Sequence, residues 1–191
     1  PLFVSLDLYF NKNITLSIFF IMGICLFDLL FYRNKILNVA ALCFSLFYLV
    51  LGFSSIILIN NPILIGLIFI IAFSTDSFAY LVGITLGKHK LIPDVSPKKS
   101  IEGSIGGIVG TIIISSFYLS YFGIGNLPFN IILGFLGSII AQCGDLIASR
   151  IKRDTGIKDF GNLIPGHGGV LDRFDSVILV APLIMILYLY F

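Results

Sequence analysis

Apolar residues run along this chain in long stretches separated by short polar breaks. A helix needs about 20 apolar residues to cross a hydrocarbon layer of roughly 30 Å. Six stretches meet that length, approximately 14–32, 36–59, 62–86, 104–122, 127–149 and 174–191. They predict an all-α fold, a polytopic transmembrane helical bundle of about six spans. The breaks are of two kinds. Asn60 and Asn61 before Pro62, and Gly123 to Asn126, read as short uncharged turns, whereas 33–35, 87–103 and 150–173 carry the cations. Of the twelve lysines and arginines all but Lys12 fall in the charged breaks, which a six-span chain places on one side. Cations mark the cytoplasmic face. The pattern therefore predicts a multi-pass protein of the cell (inner) membrane with its long loops, 87–103 and 150–173, in the cytoplasm, where a nucleotide is available.

Composition supports the same class. The 191 residues are 58% hydrophobic and 12% charged, against about 45–50% and 25% in soluble domains, and the mean hydropathy is +1.06. The even spread of apolar runs gives no second domain, so 1–191 reads as a single membrane-embedded domain. A net charge of +2 is too mild to argue for a nucleic-acid partner. Cys25, Cys43 and Cys143 lie in apolar runs without metal or redox spacing and read as small buried hydrophobes. The chain starts at Pro1 with no signal-peptide pattern, and is expected to be a fragment or trimmed at its start.

Acids inside spans need a reason, because each costs about 2.5–3.5 kcal/mol on insertion scales. Asp28 lies near Arg33 and the interface, and reads as structural. The helical period puts Asp76, Tyr80, Gly83 and Gly87 on one stripe. That stripe is either functional or an interface held by Ser74, Thr75, Asp76 and Ser77. Gly103, Gly106, Gly107 and Gly110 read as close backbone packing. Asp145, Ser149 and Lys152 share one face at the end of the fifth span. An acid there suits Mg²⁺, which takes one or two protein carboxylates plus phosphate oxygens; the alternative is an ion pair with Lys152 or Arg150.

The 150–173 connector holds five glycines, Pro165 and both charges, and loops of this length are usually functional or disordered. Its segment IPGHGGVLDRFD is too specific in chemistry for disorder. Asp172 and Asp175 share a face if the last helix begins there, and Asp172 is placed to complete a metal site with Asp145. His167 is open to three roles: base, phosphate donor or turn residue. The lysines either meet phosphate, solvate the loops or hold anionic headgroups. These residues alone point to a phosphate-handling membrane enzyme.

The run SRIKRDTGIKDFGNLIPGHGGVLDRFD, from Ser149 to Asp175, resembles the signature of phosphatidate cytidylyltransferases, also called CDP-diacylglycerol synthases. Ser149, the basic pair Lys152 and Arg153, Lys158 with Asp159, His167-Gly168-Gly169 and the DRFD ending at Asp175 all stand in the pattern. Upstream, Asp76 to Tyr80, Gly87 with Lys88, SPKKSIEGSIGG from Ser96 to Gly107, and Gly144 with Asp145 also match. The resemblance covers about Ser74 onward. The chain has no tryptophan, and Ile101 stands near the family's usual one. It corresponds to the C-terminal six spans of a family that is longer at its N-terminus.

The resemblance implies that CTP and phosphatidate give CDP-diacylglycerol and pyrophosphate. It implies Mg²⁺, with room for a second cation, and Asp145 and Asp172 as metal ligands. Asp145, Asp172, Lys152 and Arg173 form the implied catalytic set. Asp76, Lys98, Lys99, Ser149, Arg153, Lys158, Asp159, His167, Gly168, Gly169 and Asp175 are implied to bind substrate. The attacking phosphate is already ionised, so His167 is expected to orient substrate or meet the leaving group. Expected partners are CTP, phosphatidate and the membrane, with no nucleic acid and a homodimer left open. The nearest alternative is a CTP-dependent polyprenol or phytol kinase. An ion-coupled transporter is a further one, but the two halves show no inverted repeat.

Overall fold

The computed structural model describes residues 22–25, 27, 36–161 and 169–190. In chain order these include α1 (Ile36–Leu58), α2 (Pro62–Leu86), β1 (Lys90–Ile92), β2 (Ser96–Ser100), α3 (Ile101–Tyr121), α4 (Leu127–Asp154) and α5 (Leu171–Tyr190). The all-α bundle expected from the pattern is the fold observed. Helices α2, α3 and α4 are each long and apolar enough to cross a membrane, and α1 carries a shorter apolar stretch, Leu42–Leu58. Most of the first expected span, with Asp28, lies outside the described residues.

Short polar turns set the helix starts. Asn61 accepts a hydrogen bond from the Ile63 amide at 2.9 Å, and Pro62 occupies a first-turn position where its missing N–H has no helical use. Asn126 does the same for α4, accepting from Phe129 N at 3.0 Å. Before it the chain reverses through Gly123 and Gly125, both at φ 67°, a conformation that favours glycine.

The two charged connectors differ from their expected form. Residues 87–103 are not one loop: β1 and β2 pair antiparallel, with Lys90 opposite Ser100 and Ile92 opposite Ser96, and α3 starts at Ile101. The hairpin turns at Pro93 and Asp94, closed by Val95 N donating to Ile92 O at 3.2 Å. Its base is held by Glu102, which accepts from the amides of Lys88 at 3.1 Å and His89 at 3.2 Å, and by the Ile101 amide on His89 O at 2.9 Å. The second connector is shorter than 150–173, because α4 continues to Asp154 and α5 begins at Leu171. An Arg150–Asp154 pair at 3.0 Å spans the last turn, and Lys152 and Arg153 complement the negative end of the helix.

Between membrane helices close fit, rather than apolar burial, drives association. A side chain at Gly103 would stand 2.6 Å from the Ala79 carbonyl, and one at Gly107 2.9 Å from that of Thr75. The glycine stripe is therefore the seam between α3 and α2. Thr75 and Ser74 glue that seam through the Thr111 hydroxyl, at 2.8 and 3.2 Å. Asp76 is not part of the glue and is exposed instead. Helix α5 packs on α1, α2 and α4, and its Val177, Ile178, Val180, Ala181 and Ile184 are fully buried. Cys25 is buried as expected; Cys143 is not, because it sits on the outward face of α4.

Candidate active site

One end of the bundle gathers the charged residues. The hairpin packs against α2 and α3, and Arg153 at the end of α4 donates through Nε to the Val95 carbonyl at 3.4 Å. Between hairpin and helices lies a cavity of about 490 Å³. Asp76, Tyr80 and Gly83 line it from α2, Lys90, Lys98 and Lys99 from the hairpin, Ser104 from α3, and Gln142 and Asp145 from α4. The α2 residues share this wall as the helical period requires. Gly87 stands apart as the cap of α2, its amide on Gly83 O at 3.1 Å.

Asp145 is the charged centre of the wall. Lys99 Nζ stands 2.5 Å from its Oδ2, and both side chains are about a quarter exposed, at 27% and 26%. Ser149 donates to Oδ1 at 3.3 Å, so this pair shares a face as expected. The alternative pairing of Asp145 with Lys152 or Arg150 is not made: Arg150 pairs with Asp154, and Lys152 turns to Asp172 at 2.7 Å. Asp76 and Asp175 lie close enough to Asp145 for their charges to interact. Gly144 makes that approach possible. A side chain there would stand 2.6 Å from the Asp175 carbonyl, so the backbones of α4 and α5 touch at this level. Asp175 is buried, at 8% exposure, and its Oδ1 accepts from Ser176 N at 2.7 Å.

Asp172 has a different environment from Asp145. Its Oδ1 takes Lys152, and its Oδ2 accepts from the amides of Phe160 and Gly169, each at 2.9 Å. Burial pushes its carboxyl up, but Lys152 and the two amides outweigh that and hold it below the ordinary carboxylate range. Lys158, Asp159 and Arg173 are exposed on the same end of the molecule, and Lys98 is exposed at the cavity. His167 and Gly168 lie outside the described residues.

Lys90, Ser104 and Gln142 were not expected at the site. The Ser104 hydroxyl donates to Gln142 Oε1, and Gln142 Nε2 donates back to Ser104 O at 3.2 Å and to Ser138 Oγ at 3.4 Å. A signal for Gln142 does exist in the sequence. It is a polar residue in an apolar run, three positions before Asp145 and hence on its face.

Among the described residues no group of three His, Cys, Asp or Glu side chains forms a ready cage for a metal. The arrangement fits a hard cation of another kind. Asp76 and Asp175 lie within electrostatic reach of Asp145, which Lys99 contacts directly, and Lys152 also acts on Asp175. Mg²⁺ needs only one or two such carboxylates when substrate phosphate supplies further oxygens.

Comparison with known proteins adds an independent line. The model of the Cytidylyltransferase family matches residues 2–191. The phosphatidate cytidylyltransferase of Staphylococcus aureus (strain COL) is 49% identical over 121 residues, which is 62% of this chain and 46% of that protein. That of Rickettsia bellii (strain RML369-C) is 48% identical over 139 residues, 68% of this chain and 60% of the relative. For Bacillus subtilis (strain 168) the identity is 42% over 126 residues, 64% and 44% of the two chains. The chain thus spans about half the length of the curated relatives it matches. With a family match that runs nearly from end to end, the chain belongs to the cytidylyltransferase family.

Proposed function

We propose that this chain carries the catalytic part of a phosphatidate cytidylyltransferase, which joins CTP and phosphatidate into CDP-diacylglycerol and releases pyrophosphate. The observation that carries the reading is the Lys99–Asp145 pair in the wall of a lysine-lined cavity that also meets Tyr80 and Ile84 of a membrane-length helix, α2. A charged nucleotide and a lipid phosphate can both reach such a place. Family membership and the printed names of the relatives support the same reaction.

Both reactants are anions, so the principal tasks are charge neutralisation and alignment. An oxygen of the phosphatidate phosphate attacks the α-phosphorus of CTP. The new P–O bond forms as the bond from the α-phosphorus to the β-bridging oxygen breaks, and that oxygen leaves with pyrophosphate. The attacking oxygen is ionised at neutral pH, so no side chain has to remove a proton. Lys90, Lys98 and Lys99 face the cavity as point charges for these phosphates. Ser104 and Gln142 supply neutral polar groups to the same cavity.

Asp145 is the residue assigned to hold Mg²⁺, with the Asp76 and Asp175 carboxyls nearby; the bound ion would neutralise phosphate charge. Asp172 is given another task below, because both of its oxygens already have partners. The site is assigned to the cytoplasmic face of the cell membrane. This is supported by the clustering of Lys88, Lys90, Lys98, Lys99, Arg150, Lys152, Arg153, Lys158 and Arg173 at the ends and connectors of the charged side.

The test is reconstitution of the full-length protein in lipid nanodiscs with phosphatidate, Mg²⁺ and CTP labelled in its cytidine. Label is expected to move into lipid with one pyrophosphate released for each. Label that stays in CDP while a lipid alcohol gains phosphate would make the protein a kinase instead.

A further inference from the structure

The glycine-rich connector between α4 and α5 is drawn together at its neck. The Asp172 Oδ2 atom accepts from the amide of Phe160 on one side of the connector and from that of Gly169 on the other, each at 2.9 Å. The two strands of the neck are in backbone contact: a side chain at Gly169 would stand 2.8 Å from Gly161 N and 3.2 Å from the Phe160 carbonyl carbon. Lys152, from the last turn of α4, completes the arrangement. Its Nζ is 2.7 Å from Asp172 Oδ1, with the two side chains 15% and 9% exposed, and it lies 5.3 Å from the centre of the Phe160 ring. A single carboxylate thus joins the end of α4, both sides of the neck and the first turn of α5.

From this we infer that Asp172 and Lys152 form a latch that closes the neck of the glycine-rich connector, making them positioning residues for the reaction rather than a metal ligand and a phosphate ligand. The physical reasons are local. A carboxylate that accepts two amides and one ammonium uses about three of its four lone-pair directions, and charge-assisted bonds of this kind are shorter and stronger than neutral ones. Taking it as a cation ligand would strand the Lys152 ammonium and two amide donors in a half-buried place. The latch also accounts for glycine at 169, where a side chain would stand 2.8 Å from Gly161 N and push the two sides of the neck apart. Its mechanical result is that the signature residues on both sides of the neck are fixed to the helix that bears Asp145.

The inference deepens the reading of the site as a cytidylyltransferase, and two arms keep the claims separate. The first needs no substrate. Hydrogen exchange is followed at the Phe160 and Gly169 amides in the full-length protein in nanodiscs, without nucleotide or metal. Slow exchange is expected in the parent. Asp172→Ala, which removes both acceptors, should speed it about tenfold or more as the neck opens locally. Gly169→Ala keeps the carboxylate but forces the strands apart, so it should do the same and serves where Asp172→Ala does not fold. Unchanged exchange in a folded variant would overturn the latch.

The second arm measures CDP-diacylglycerol synthesis by Asp172→Asn against Mg²⁺ and against CTP. A positioning role predicts a half-saturating Mg²⁺ concentration within about twofold of the parent, with a kcat or CTP KM worse by roughly 10- to 100-fold, as for outer-sphere partners generally. A Mg²⁺ requirement raised by more than about tenfold would show that Asp172 acts through the metal and overturn the proposal. A parent that makes no CDP-diacylglycerol defeats the proposed reaction, while the exchange arm still decides the latch.

Discussion

At the scale of single residues, the division of labour among the acids follows from their partners. Asp145 shares its charge with one lysine and one hydroxyl and faces a cavity. Asp172 is bonded on both oxygens and organises a neck. The resemblance covered both, Asp172 inside the signature and Asp145 just upstream of it, but could not separate them, because Lys99 and Lys152 reach their partners across distances along the chain that no helical period reveals. The state of Asp172 yields a pH prediction. Its folded carboxyl lies below the unfolded value of about 3.9. The stability it contributes is therefore fully present above that value and is lost only as pH falls through the folded one. Protection of the Phe160 and Gly169 amides, corrected for intrinsic exchange rates, should stay constant between about pH 6 and 8. Protection that decayed within that window would mean that Asp172 does not hold the neck as a carboxylate.

At the scale of elements, the helices were legible and the hairpin was not. Pro62 after Asn61, and Asn126 after two glycines, marked the starts of α2 and α4 because capping and turn chemistry is local. The strands KLI and SPKKS lack the alternation and β-branched content of a strand. What makes them pair is Glu102 gripping the amides of Lys88 and His89 from the first turn of α3. The glycine stripe was legible for the opposite reason, since its spacing is that of one helix face. Gly107 is within 2.9 Å of a backbone oxygen once a side chain is added. Overpacking of this kind costs about 1–3 kcal/mol. Gly107→Val is thus expected to lower the thermal unfolding midpoint in detergent by roughly 2 to 12 °C. Ile105→Val, on the exposed face of the same helix, should leave the midpoint nearly where it was. Equal midpoints for the parent and Gly107→Val would show that the α2–α3 seam is looser than described.

At the scale of the whole molecule, the arrangement is a bundle that, among the described residues, gathers its charged side chains at one end. Small residues let the helices approach there: Gly103 and Gly107 bring α3 onto α2, and Gly144 brings α4 onto α5. As a result Asp76, Asp145 and Asp175, from three helices, lie within electrostatic reach of one another, with Asp145 in contact with a lysine supplied by the hairpin. The pattern of apolar runs foretold the bundle. The cavity wall itself required tertiary structure, as Lys90, Ser104 and Gln142 show. The central claim is that Asp145, at this convergence, holds the cation that lets two anionic phosphates react. It is tested most directly by CDP-diacylglycerol synthesis in nanodiscs containing the full-length protein with Asp145→Asn. Loss of a charge-stabilising group predicts kcat/KM lower by about 100-fold or more, with the protein still folded; activity within about threefold of the parent at every Mg²⁺ concentration would contradict the account.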